Sequence, residues 1–492
     1  MTKSGKPLDG LGTQRAAAYY RWLLLSAVVL FIASFYQRSI HIDEAWIGEQ
    51  AYWAAKEGAV RSELFRGLLH AESRQLVYHW LFVWQAAGII RLAGWSILVL
   101  RLITLSYLVA FLLISYQYLR ATFLTAAACC LFYGVLLANA LVVEYGYIFR
   151  PEIMVMCLGF CSWVFLQRCL HRTQAKGAHA VLAGLFAGLA AITHLNGLIF
   201  IAAGVGVLLW RRQVMLVLVF GLVASLLFSV SFLEILLNNQ WQAYLKQMSP
   251  AVQNKHTGPL PYILFVINEQ KRFLHSPVEI TLTLLVAAAG YILYKVRYRN
   301  TLFSELVLYL GLLVVALACI SQGKTTKYLL LYMPYMCLVV TLAFQHLPTI
   351  RQPRLAVLLS GLLLLYFVAN FGYTGYLISK HDDRINKNHQ LAQHLSAYRN
   401  TRVVAPMDLI FPEVNTFSIQ GITCYRMLLE ARQTALKESS LFAEAARFQR
   451  RLVIIDEALL KNLGFAKPVI GRTYGKYRHT SHFHEFYIYT AL

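Results

Sequence analysis

Two carboxylates open the first polar stretch of the chain. His41-Ile-Asp43-Glu44-Ala-Trp46 follows directly on an apolar run, and the polar pattern continues through Glu49 and Glu57 to Gly58. A carboxylate beside a cleft can take the proton of a hydroxyl nucleophile, the first chemistry these residues could do. They also have a structural use. Asp43 stands where a helix N-cap belongs, Glu44 favours the positive end of the helix dipole, and Gly58 stands where a helix stops. Either use accounts for the residues, and their position alone does not choose between them.

Three further polar clusters interrupt apolar sequence. Glu144-Tyr-Gly-Tyr147-Ile-Phe-Arg150-Pro151-Glu152 reads as a turn into a helix, with Pro151 in the first helical turn and Glu152 at the N-terminal end. Ser321-Gln-Gly323-Lys324-Thr-Thr-Lys327-Tyr328 leads into a segment containing Pro334. Its Gly-Lys-Thr is not a phosphate-binding P-loop, because no glycine stands five residues before Gly323 and no strand precedes it. Lys324 and Lys327 have a plain alternative use as solvated turn residues. Thr193-His194-Leu-Asn196-Gly197 is the fourth break.

The elements that must position these clusters are membrane helices. Of 492 residues, 58% are hydrophobic and 14% charged, and the mean hydropathy is +0.53. A soluble domain averages about 25% charged residues, so this chain lacks the polar side chains to cover a water-facing surface of its size. The 29 Tyr and 9 Trp suit rings seated at the headgroup level. The net charge of +22 does not point to nucleic acid, because it is spread over short loops. Lys3, Lys6, Arg15 and Arg21 precede the first apolar run, and Arg168, Arg172, Lys176, Arg211, Arg212, Lys295, Arg297, Arg299, Arg351 and Arg354 lie between later ones. Loops of this kind stay on the cytoplasmic side. Eight cysteines without a CxxC pair read as small buried hydrophobes. The first run, Tyr20–Tyr36, lacks an A-x-A-like cleavage site and reads as a retained helix.

Apolar runs fall at roughly 20–36, 77–93, 97–119, 121–147, 152–170, 178–195, 197–210, 213–233, 278–296, 302–321, 327–346 and 354–377. With the N-terminus and the basic loops inside, the long segments 37–76 and 234–277 and the tail after 377 lie outside, which requires an odd number of crossings. The run 77–93 is short and carries His79, Gln85 and Arg91 among Trp80 and Trp84, a composition suited to a helix lying in the interface. Setting it aside leaves eleven. The expected fold is therefore an all-α polytopic membrane protein with about eleven transmembrane helices and in-plane helices in the first outer loop, plus a small C-terminal α/β soluble domain. Residues 1–379 form the membrane domain, with outer loops 37–96 and 234–277, the latter punctuated by Pro259 and Pro261. Residues 380–492 form the outer domain, with strands expected at Arg402–Ala405, Leu452–Ile455 and Phe486–Tyr489 and a helical pattern over Met427–Arg451. Gly184-xxx-Gly188 is a close-packing signal.

On this topology Asp43, Arg150, Glu152, His194 and Lys324 all reach the outer surface between helices. Carboxylates beside cations there suit an anionic headgroup whose tail stays in lipid, and phosphate is the natural anion because cations stabilise a phosphate leaving group as its charge develops.

A first helix, then an outer loop opening with Asp-Glu and a helix closed by Gly, resembles the GT-C membrane glycosyltransferases. The order of Arg101-Leu, Arg150-Pro151-Glu152, Ala191-Ile-Thr-His194-Leu-Asn196-Gly197 and Lys324-Thr-Thr-Lys327-Tyr328 with Pro334 is similar to the polyprenyl-phosphate-sugar-dependent branch, which includes protein mannosyltransferases and lipid A aminoarabinose transferases. The resemblance covers about residues 20–345. It implies that Asp43 is the catalytic base, that Glu44 shapes the site, and that Lys324, with Arg150 and Lys327, contacts the donor phosphate. Glu152, His194, Asn196 and Tyr328 are further site candidates. Two departures stand out. Glu152 occupies a place where Asp is frequent, and Arg74-Gln75 stands where the aminoarabinose transferases carry Lys-Pro, which counts against that particular activity.

The expected function is an inverting glycosyltransferase that moves a sugar from a polyprenyl-phosphate-linked donor to a hydroxyl of a lipid, glycan or protein on the outer face of a bacterial inner membrane. A divalent metal near Asp43, Glu44 or His194 is compatible with the residues, although no ligand spacing demands one. The partners are the bilayer, the lipid-linked donor and the acceptor, with no nucleic acid. The rivals are a multi-pass transporter, which would place ionisable groups near the bilayer midplane, and a non-catalytic binder of lipid-linked sugar. Arg101 and Glu305 are the charges that lie deeper in apolar sequence.

Overall fold

In lipid every backbone polar group must be satisfied within the protein, so apolar sequence of this kind folds as helices. The computed structural model describes residues 10–122, 124–252, 260–295, 301–321, 323–347, 352–432, 434 and 437–492. Lys3, Lys6, Pro259, Arg297, Arg299, Gln322 and Arg351 lie outside the described residues. The first described helix is α1 (Gly10–Ala33), and the segment 37–96 contains α2 (Ile42–Glu57) and α3 (Trp80–Ala93). There follow α4 (Ile97–Ala121), α5 (Ala126–Ala138), α6 (Ala140–Tyr145), α7 (Glu152–His171), α8 (Lys176–Thr193), α9 (Leu198–Trp210) and α10 (Val214–Leu237). The segment 234–277 contains α11 (Trp241–Val252), α12 (Leu260–Ile267) and α13 (Gln270–Phe273). The membrane part closes with α14 (Pro277–Lys295), α15 (Thr301–Ile320), α16 (Met333–His346) and α17 (Pro353–Ser379).

Seven helices among the described residues are long and apolar enough to cross a membrane. The helix α7 is the centre of the bundle, since 83% of its apolar window is buried, whereas 11% of the α10 window is, which leaves α10 facing lipid. The helix α3 has 14 residues, a rise of about 21 Å, less than a hydrocarbon core of about 30 Å. The short helices α5, α9 and α16 are each continued by a second helical piece, namely α6 and the 3-10 turns at Leu195–Gly197 and Thr326–Leu331. The α3 helix has no such extension.

The run expected as one span over 121–147 is broken at Asn139. The Asn139 side chain caps α6 by accepting from Leu141 N at 3.0 Å, and Asn370 Oδ1 from α17 accepts from Ala140 N at 2.9 Å. Two buried amides therefore replace the backbone partners lost at the break, which is the condition for breaking a helix at membrane depth. The close-packing signal in α8 has a direct cause. A Cβ on Gly184 would lie 2.5 Å from the Phe220 carbonyl oxygen of α10, and one on Gly188 would lie 2.9 Å from that of Ala224.

Beyond α17 come α18 (Arg384–His394), β1 (Arg402–Ala405), α19 (Ile410–Glu413), β2 (Ser418–Gly421), α20 (Ile422–Ala431), α21 (Glu438–Arg447), β3 (Leu452–Asp456), α22 (Glu457–Leu463), β4 (Thr473–Tyr474), β5 (Tyr477–Phe483) and β6 (Phe486–Ala491). They form one six-stranded sheet in the order β2-β1-β3-β6-β5-β4. Strand β1 runs parallel to β2 and β3, and the other pairs are antiparallel. The expected helical pattern over Met427–Arg451 is two helices, α20 and α21. The sheet domain clamps the segment 37–96. Gly421 N donates to Leu64 O at 2.9 Å, Gln420 Nε2 donates to Arg66 O at 2.6 Å, and Trp95 stacks on Phe411 at 5.2 Å between centroids.

Candidate active site

The cap of α2 is His41, not Asp43. His41 Nδ1 accepts from Asp43 N at 3.1 Å, and His41 N donates to Glu44 Oε2 at 2.8 Å, a capping box closed from both sides. Asp43 thus sits inside the first turn with its carboxylate free of the backbone. Gly58 closes the helix in the left-handed conformation at φ 71°, as its position in the sequence indicated.

Glu44 is fully buried and fully engaged. Arg101 of α4 meets it with Nε on Oε1 and Nη2 on Oε2, both at 2.8 Å, and Phe149 N donates to Oε1 at 2.9 Å. Arg101 also donates to the Ser39 carbonyl at 2.9 Å. A bidentate, desolvated pair of this kind is strong in place and costly to break. It locks the start of α2 to α4 and to the turn before α7.

Asp43 faces cations. Arg150 bridges it to Glu152: the guanidinium holds the Glu152 carboxylate at 2.6 and 3.1 Å and makes an ion pair with Asp43 Oδ2. Lys327 Nζ lies 3.9 Å from the same oxygen. The side chains of Arg150 and Glu152 are almost completely buried, whereas Asp43 keeps 28% exposure, which makes it the carboxylate of the group that an incoming molecule can reach. Three imidazoles complete the wall. His79 and His194 stack at 4.7 Å between centroids, and Tyr328 meets His194 edge-on at 5.6 Å. Burial, and then the neighbouring His79, lowers the His194 pKa to about 3, while burial brings those of His79 and His41 down to about 4. At neutral pH all three rings are uncharged, so Arg150 and Lys327 supply the positive charge at Asp43. Asn196 N donates to His194 Nδ1 at 3.0 Å and fixes that ring.

Lys324, three residues before Lys327, points elsewhere. Its Nζ meets Glu269 Oε2 at 2.9 Å and the carbonyls of Ala318 and Ser321 at 3.1 and 3.2 Å. Arg272 Nε holds the other oxygen of Glu269 at 2.7 Å, and its Nη1 donates to Thr325 O at 2.5 Å. Glu269 and Arg272, from the segment 234–277, thus pin the turn that carries both lysines. The sequence reading did not single them out. Their i,i+3 spacing in a short polar break between apolar pieces was the available signal.

Two cavities flank Trp46 and Val77. One, of about 470 Å³, has Asp43, Phe65, Leu68 and Gln75 on its walls and reaches Met407, Thr423 and Met427 of the sheet domain. The other, of about 250 Å³, is mainly apolar and runs past His79 and His194 to Phe228 and Phe232 on the lipid-facing α10. Both cavities are mainly apolar, and the one that reaches the sheet domain has Asp43 on its wall.

No protein-family model matches the sequence, and no curated protein matches it in sequence. Solved structures do match in shape. ArnT from Cupriavidus metallidurans in the apo state aligns over 97% of this chain and 98% of its own, with a TM-score of 0.56 at 14% identity. Its form bound to undecaprenyl phosphate aligns with a TM-score of 0.55 at 13% identity, over 96% and 98% of the two chains. The oligosaccharyltransferase of Archaeoglobus fulgidus in the apo form aligns with a TM-score of 0.53 at 12% identity, over 88% of this chain and 69% of that one. The chain has the GT-C fold.

Within this GT-C fold the sequence-predicted residues divide into two groups. Asp43, Arg150, Glu152 and Lys327 share one ionic cluster, with His194, Asn196 and Tyr328 on its wall. Glu44 lies behind that cluster on Arg101, and Lys324 lies on Glu269. Among the described residues no group of three or more His, Cys, Asp or Glu side chains is placed to hold a metal ion. Asp43 faces a guanidinium and an ammonium, surroundings that disfavour a divalent cation, so these residues do not fit a metal ion.

Proposed function

We propose that this GT-C protein is an inverting glycosyltransferase that uses a polyprenyl-phosphate-linked sugar on the outer face of a bacterial inner membrane, with its C-terminal domain outside. The observation that carries this reading is the partly exposed Asp43 facing Arg150 and Lys327, on the wall of a mainly apolar cavity that reaches the sheet domain. The undecaprenyl phosphate bound to one structural neighbour supports a lipid-phosphate ligand here.

In the free enzyme Arg150 and Lys327 both face the Asp43 carboxylate. A donor phosphate in their place competes for Arg150 and Lys327 and loosens their hold on the carboxylate. Asp43 then accepts the acceptor's hydroxyl proton as that oxygen attacks the anomeric carbon from the face opposite the phosphate. The anomeric C–O bond breaks, its electron pair leaves on polyprenyl phosphate, and Arg150 and Lys327 stabilise the charge that develops. One displacement inverts the anomeric centre. Glu44 acts as a positioning residue through Arg101, and the cavity of about 470 Å³ shared with the sheet domain receives the acceptor.

The test is single-turnover transfer by purified protein from a panel of polyprenyl-phosphate sugars, read as release of free polyprenyl phosphate. Release that depends on acceptor supports the reading. Accumulation of intact donor across a proteoliposome membrane, without cleavage, would establish a transporter in its place.

A further inference from the structure

Glu305 has no part in the site above, yet it is fully buried in α15. Its Oε2 receives Gln167 Nε2 at 2.9 Å and meets His171 Nε2 at 2.8 Å, and its Oε1 lies 3.4 Å from Arg211 Nε. Gln167 and His171 belong to the C-terminal end of α7. That helix has 20 residues and rises about 30 Å, so this cluster stands a full hydrocarbon thickness from Arg150.

Beside it opens a cavity of about 350 Å³ whose polar lining includes Gln167, Arg168, His171 and Arg172, with Val164 and Leu302 among the apolar walls. Its charge is uncompensated. The acid at its back, Glu305, is already occupied by Arg211 and His171, while Arg168 and Arg172 have no carboxylate partner among the described residues. Its hydrogen bonding is incomplete too. Gln167 is 6% exposed, and its Oε1 takes no hydrogen bond, although its Nε2 is committed to Glu305. The cavity therefore offers two arginines without a carboxylate partner among the described residues, Arg168 resting on the Phe165 ring at 5.2 Å, and a buried, unused acceptor at the depth of a lipid headgroup.

We infer that this cavity binds an anionic glycerophospholipid whose headgroup carries free hydroxyls, drawn from the leaflet opposite Asp43. The phosphate meets Arg168 and Arg172, a headgroup hydroxyl donates to Gln167 Oε1, and the acyl chains lie along the apolar walls. Basic pockets between membrane helices at the headgroup level have the charge and depth for such lipids. A zwitterionic lipid brings its own ammonium beside the two arginines and carries no net negative charge to offset them.

The experiment uses the full chain in a neutral detergent, titrated with phosphatidylglycerol, phosphatidylethanolamine or soluble glycerol phosphate, and read by thermal shift and by native mass spectrometry. Phosphatidylglycerol should raise Tm and remain as a bound adduct, phosphatidylethanolamine should do neither, and the Arg168→Gln/Arg172→Gln pair should bind phosphatidylglycerol about 10-fold more weakly or worse. Arg172→Gln alone, at an exposed position, carries the same test at smaller amplitude if the double variant does not fold. Equal retention of phosphatidylethanolamine, or unchanged phosphatidylglycerol binding by the arginine variants, would overturn the inference. A full effect of glycerol phosphate would replace the lipid with a soluble anion.

Discussion

Arg101 of α4 and Glu44 of α2 face each other edge to edge, with both contacts at 2.8 Å and both side chains buried. The pair decides how the two adjacent acids of the first outer loop divide their work. Glu44 has its oxygens filled by Arg101, Phe149 N and His41 N, and it has none to offer a substrate. Asp43, one residue earlier, faces the cavity.

Removing one member of a buried pair leaves the other charge without a partner, at a cost of about 3–5 kcal/mol. Glu44→Gln should therefore lower Tm sharply and reduce folded yield, and Arg101→Leu should do the same. His41→Ala should cost about 1 kcal/mol for the lost cap. Thermal unfolding in detergent checks all three. A Glu44→Gln protein with wild-type Tm and lost turnover would move Glu44 from positioning into the chemistry.

Lys327 and Lys324 should separate in the same assays. Lys327 lies 3.9 Å from Asp43, whereas Lys324 closes a network with Glu269 and Arg272. Removing a cation from a developing oxyanion costs about 10²–10³ in rate, so Lys327→Ala should lose turnover at nearly unchanged Tm. Lys324→Ala should instead lower Tm, because it strips a buried carboxylate of one of its two cations. The reverse pattern would return the donor phosphate to Lys324, the residue favoured from sequence.

Glu49 gives stability a pH dependence. It is buried in α2, where it holds Ser62 Oγ at 2.5 Å and Glu63 N at 2.7 Å, and burial raises its pKa from 4.5 to about 7 despite those donors. A carboxyl whose folded pKa lies above its unfolded one binds more protons when folded, so stability falls as pH rises from about 4.5 to 7 and stays lowered above. The shift corresponds to at most about 3 kcal/mol. Tm should drop between pH 5 and 8, and Glu49→Gln, which cannot ionise, should flatten that slope. Parallel slopes for the two proteins would show that Glu49 stays ionised throughout.

Length and hydropathy made the long helices legible, because about 20 apolar residues have few other uses. The break at Asn139 was not legible, since the amide that makes it tolerable, Asn370, lies 230 residues away. The acids and Arg150 were legible as a set because each interrupts apolar sequence at a helix end. The choice between Lys324 and Lys327 was not, because Arg272 and Glu269, from a different loop, orient the turn that carries both. Strand β1 and the buried strands β3 and β6 stood out as apolar runs. Strand β2, Ser-Ile-Gln-Gly, has a single large apolar side chain, β4 has only two residues, and β5 is a polar run of Arg, His, Thr, Ser and His between Tyr477 and Phe483, so none of these three did.

The most direct measurement is transfer by Asp43→Asn. Asp43 is not the helix cap, so the amide should preserve the fold and leave Tm near that of wild type. It removes the proton acceptor while Arg150, Lys327 and the apolar cavity stay in place. The variant should bind a polyprenyl-phosphate sugar and yet transfer it at least about 10²-fold more slowly, the usual cost of a lost general base. A well-folded Asp43→Asn protein that transfers sugar at the wild-type rate would contradict the assignment of Asp43 as the base.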